Sequence, residues 1–101
     1  MIKVNVIKVN SKIKSIELKG HANSANEGED LVCAGASTCF SGSINALEEK
    51  DNFDFKYEKG NGLISAINET SEHDNIVLEV LLNQLIYLSN YYPKNLKIKF
   101  N

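Results

Sequence analysis

The stretch IKVNVIKVNSKIKSIELK, residues 2–19, decides the fold. Ile2, Val4 and Val6 alternate with polar residues, and the alternation slips at Ile7-Lys8-Val9. Ile16 and Leu18 then point one way while Glu17 and Lys19 point the other. A period of two with one apolar side is the mark of half-buried antiparallel strands. Residues 2–9 and 12–19 are therefore expected to pair, with Asn10-Ser11 as the tight turn.

The same reading extends outward. Phe53, Phe55 and Tyr57 alternate with charged residues, a turn is expected over Lys59-Gly60-Asn61-Gly62, and a strand over 63–68 completes a second hairpin. Leu96, Ile98 and Phe100 alternate with lysines in a last strand beyond Pro93. Between these lie two helical patterns. From about Ala34 to Glu49, residues Ala36, Phe40, Ile44 and Leu47 fall on one face. Its first half is rich in small residues, and Gly35 and Gly42 suggest a neighbour very close to the backbone. Ser71 with Asp74 resembles a capping box opening the second helix. Ten of the thirteen residues from Ile76 to Leu88 are apolar, counting Tyr87, more than one sheet face can cover. Part of that helix is expected in a homodimer interface. The order β-β-α-β-β-α-β implies one α+β domain over residues 1–101, a two-layer sandwich with two helices on one face of a mostly antiparallel sheet.

Charge and composition narrow the function. The net charge of −2 argues against direct nucleic-acid binding. All 11 basic residues are lysine, so no arginine fork is present for phosphate or guanine edges. No apolar run reaches membrane-span length, the first ten residues lack a signal-peptide pattern, and a cytoplasmic protein is expected. Cys33 and Cys39 form neither a C-x-x-C pair nor a metal-spaced cluster, so no metal or cofactor is expected and the thiols are free.

One segment carries chemistry: Gly20-His21-Ala22, then Gly28-Glu29-Asp30-Leu31-Val32-Cys33-Ala34-Gly35-Ala36-Ser37. Residues 21–32 are polar and without periodicity, and read as a loop. On that reading His21 closes a strand and Cys33 opens a helix, where the dipole and unpaired N–H groups favour a thiolate. The N–H groups of Cys33, Ala34 or Gly35 are then candidate oxyanion donors, and the small residues let a peptide approach. From the residues alone a buried thiol and a solvent-facing histidine remain the plainer alternative.

The run GHANSANEGEDLVCAGAS resembles the signature of the bacterial ribosomal-processing cysteine protease family, Prp. Gly20, His21, Ala22, Gly28, Asp30, Val32, Cys33, Ala34, Gly35 and Ser37 carry the match. The resemblance implies a Cys33/His21 endopeptidase that removes a short N-terminal extension from large-subunit ribosomal protein twenty-seven, a step needed for ribosome assembly. It also implies a homodimer, a mobile loop over the site, and cleavage after an aromatic pair followed by a small residue. Asp30 can orient His21 or simply be a solvated loop acid. Ser37, one helical turn after Cys33, can touch substrate or bond a backbone carbonyl. Cys39 is expected in the core and His73 on the surface, and the Phe53, Phe55 and Tyr57 stripe is expected to be core, although any members that face outward could receive the substrate's aromatic pair. The alternatives are a non-catalytic ribosome-associated peptide-binding module and, last, a thiol redox protein.

Overall fold

The computed structural model describes backbone and side chains of residues 1–20, 31–58 and 60–101, and the backbone alone over residues 27–30. Strands β1 (Ile2–Val9) and β2 (Lys12–Lys19) pair antiparallel. Asn10 and Ser11 join them at φ 54° and 67°, the double left-handed turn whose twist matches that of a hairpin. The register shifts between Ile7 and Lys8, where the sequence alternation slips.

Helix α1 (Glu27–Ala46) follows, then a 3₁₀ turn over Lys50–Asn52 and strands β3 (Phe53–Glu58) and β4 (Asn61–Ala66). Pairing of β3 with β4 begins at Glu58 and Asn61, so the expected four-residue turn is two residues too long and the strand starts and ends earlier than 63–68. Gly62 explains the shift. It is a strand residue opposite Tyr57, and a Cβ on it would lie 2.8 Å from the Phe40 ring. Its role is to admit that ring, whereas a turn was expected of it.

Helix α2 (Glu72–Tyr91) is capped by Ser71, whose Oγ accepts from the Asp74 N–H at 3.1 Å. The Asp74 carboxylate does not complete a capping box. It accepts instead from the Glu48 and Glu49 N–H groups at 2.8 and 2.9 Å. Those donors are thereby taken from α1, which ends at Ala46 rather than near Glu49. Past Pro93 the chain enters β5 (Leu96–Phe100), which pairs parallel with β1.

The sheet order is β3-β4-β2-β1-β5, antiparallel throughout except for β1 with β5. The crossovers β2-α1-β3 and β4-α2-β5 lay both helices on the sheet, where Val4, Val6, Ile16 and Ile64 meet Phe40, Leu78, Leu81 and Leu85 in one core. The α+β expectation therefore holds.

Candidate active site

Gly20 ends the strand that leads to residue 21. Its φ is +113°, and a Cβ there would stand 2.3 Å from the Met1 carbonyl oxygen. Backbone crowding on that scale leaves glycine as the only residue that fits. The Gly20 N–H makes a long bond to Asn61 Oδ1, 3.4 Å, which ties this strand end to the β3–β4 hairpin. His21, and with it most of the expected loop, lies outside the described residues, as does Lys59; the side chain of Asp30 does too.

Cys33 does not open a helix. The helix begins at Glu27, so Cys33 is its seventh residue. The dipole effect fades within one turn, and interior helix N–H groups are committed four residues back. The Cys33, Ala34 and Gly35 amides are therefore not free oxyanion donors in this helix. Ala34 is exposed and Gly35 half-buried, with Leu88 Cδ2 3.5 Å from where a Cβ would lie. At Gly42 nothing approaches within 4 Å, and the Leu88 contact at Gly35 is an ordinary one that would admit a Cβ, so the very close neighbour expected at these two glycines is not found.

Helix phase decides which way the thiol faces. Val32, Ala36, Phe40 and Leu47 are buried beneath α1. Gly35, Cys39 and Gly42 look toward α2, lining shallow apolar grooves with Val80 and Gln84. Cys33 and Ser37, one turn apart and both half-buried, occupy the opposite flank. Next to that flank the Phe40 ring meets Tyr57 of β3, centroids 5.6 Å apart. Cys33 thus carries a free thiol on the side of α1 that borders the sheet edge.

The family model of cysteine protease Prp matches residues 1–97. The chain belongs to the cysteine protease Prp family. The ribosomal processing cysteine protease Prp of Staphylococcus aureus is 26% identical over 105 residues, covering 99% of each chain. That of Mycoplasma genitalium is 30% identical over 97 residues, covering 92% of this chain and 94% of its own. A crystal structure of the staphylococcal Prp with a covalently linked product peptide superposes with a TM-score of 0.87 at 27% identity, each chain covered completely.

Within this Prp fold Cys39 is distinct from Cys33. It packs against the core, and burial pushes its thiol pKa up, which keeps it protonated. The two thiols are free. His73 is exposed, as expected, but is not idle: its Nδ1 lies 2.8 Å from Asp74 Oδ1 and 3.6 Å from Glu48 Oε2. Burial alone would raise the Asp74 pKa; the Glu48 and Glu49 N–H bonds and His73 together hold it below the usual carboxylate value. This junction, which ties α2 to the end of α1, was invisible as a local pattern because its partners are 25 and 26 residues apart in sequence.

Proposed function

We propose that this chain is a ribosomal-processing endopeptidase in which Cys33 is the nucleophile and His21 its base. The observation that carries the reading is the free, half-buried Cys33 thiol on the α1 flank that borders the sheet edge. The relatives' name, ribosomal processing cysteine protease, and the product peptide covalently linked to one of them support a covalent route. His21 takes the thiol proton, and the thiolate sulfur bonds to the scissile carbonyl carbon. Collapse breaks the C–N bond, the amine leaves with the proton from His21, and water hydrolyses the thioester. The substrate is the N-terminal extension of large-subunit ribosomal protein twenty-seven, met in the cytoplasm without direct nucleic-acid contact. Among the described residues no helix is long and apolar enough to cross a membrane.

The working unit is a homodimer. Ile76, Val80, Tyr87 and Tyr91 form an exposed apolar stripe along α2, continuous with the α1–α2 grooves, of the kind that marks an interface. Sedimentation showing only monomer at micromolar concentration would count against it. Asp30 and Ser37 are positioning candidates, and Ala34 and Gly35 supply small surface beside the thiol.

Incubation with a peptide spanning the extension tests the core of the proposal. Wild type should cleave it once, and Cys33→Ala and His21→Ala should leave it intact while retaining native circular dichroism. Equal survival of the peptide with wild type and Cys33→Ala sinks the protease reading.

A further inference from the structure

We infer that the substrate docks as an added β-strand on the outer edge of β3, which pairs with no other strand among the described residues, with alternate side chains resting on Phe55 and Tyr57; this rests on the protease reading above. β3 is the terminal strand of the sheet on the side of α1 that carries Cys33. The Ile67 N–H donates to the Asn52 carbonyl at 2.8 Å, which makes that opposed pair a hydrogen-bonded one. In an antiparallel ladder such pairs alternate, so Asp54, Lys56 and Glu58 bond to β4, while Phe53, Phe55 and Tyr57 turn N–H and C=O outward. The Phe53 N–H is satisfied by the Lys50 carbonyl of the 3₁₀ turn. Phe55 and Tyr57 thus offer an outward donor–acceptor ladder two residues long, which is peptide-backbone chemistry.

The side chains fit the same occupant. Phe55 and Tyr57 are each 36% exposed and share the helix-covered face of the sheet with buried Phe53, and Tyr57 meets the Phe40 ring of α1. A residue paired directly with either one would project its side chain to that same face. The preferred peptide is therefore extended, with large apolar or aromatic residues two apart. Reach agrees as well. Cys33 precedes Phe40 by seven residues, about 10 Å along α1. At about 3.3 Å per strand residue, the substrate residue paired with Tyr57 lies roughly three residues from the scissile bond, and the one paired with Phe55 roughly five. The opposite sheet edge, β5, bears Lys97 and Lys99 and lies about 19 Å away across four strand spacings.

The test leaves the protein unchanged. A series of extension peptides, each with one backbone N-methyl group about two to six residues from the scissile bond on either side, is assayed for kcat/KM. On one side of the bond, methylation at alternate positions should lower kcat/KM about tenfold or more, since each removes an N–H that bonds the edge; intervening positions should change it less than about threefold. Uniform sensitivity, or none, overturns strand addition while the protease reading stands. Failure of wild type to cleave the unmethylated peptide overturns both.

Discussion

Replacing Asp74 by asparagine should remove much of the margin that keeps this domain folded. The carboxylate is 0% exposed, and its two oxygens accept from the Glu48 and Glu49 N–H groups at 2.8 and 2.9 Å. Asparagine keeps the shape but has one oxygen, so its NH₂ must face one of those donors. A hydrogen bond to a charged group contributes about 1.5–3 kcal/mol, and a buried donor left unpaired costs about 1–3 kcal/mol. A net loss of about 2–4 kcal/mol follows, against the roughly 5–15 kcal/mol typical of a whole domain. Urea unfolding at pH 7 measures it directly. The pH dependence is a second reading of the same contact. Because the folded pKa is lowered from 3.8, the unfolded chain takes up this proton first as pH falls. The carboxylate's contribution is thus complete above about pH 5 and is lost as pH drops through the folded value. The gap between wild type and Asp74→Asn should be full at pH 7 and shrink below pH 4. A gap under about 1 kcal/mol at pH 7, or one that does not change with pH, would refute the assignment.

Three further substitutions probe other contacts. Gly62→Ala forces a methyl to 2.8 Å from the fully buried Phe40 ring and should destabilise by about 1–3 kcal/mol, with Phe40→Leu recovering part of the loss in a double-mutant cycle. Additive losses would mean that the ring is not the obstacle. Gly20→Ala meets the Met1 carbonyl at 2.3 Å in a backbone region that L-residues avoid, so a loss of at least about 1–3 kcal/mol is expected in urea titrations. Cys39→Ala should leave kcat/KM within about threefold, and Cys39 in wild type should alkylate slowly at pH 7 because burial keeps its thiol protonated. Loss of cleavage in this variant would instead give Cys39 a role in chemistry.

Much of this protein is determined by sequence alone, wherever the physics is local. The period-two pattern of residues 2–19, its slip at Ile7, the Asn10-Ser11 turn and the Ser71 cap each depend on neighbours a few positions away, and each stands where it was expected. The Gly20 to Ser37 run resembles the signature of the family whose model matches residues 1–97, and it was legible because such a signature is a short contiguous string. Tertiary structure decided what depends on distant partners. The end of α1 follows from a carboxylate on another helix, and Gly62 is a strand residue because of a ring 22 positions earlier. The start of α1 at Glu27 moved Cys33 from a helix mouth to a helix flank. That last change separates the two cysteines: Cys39 lines a groove against α2, whereas Cys33 lies on the opposite flank of α1.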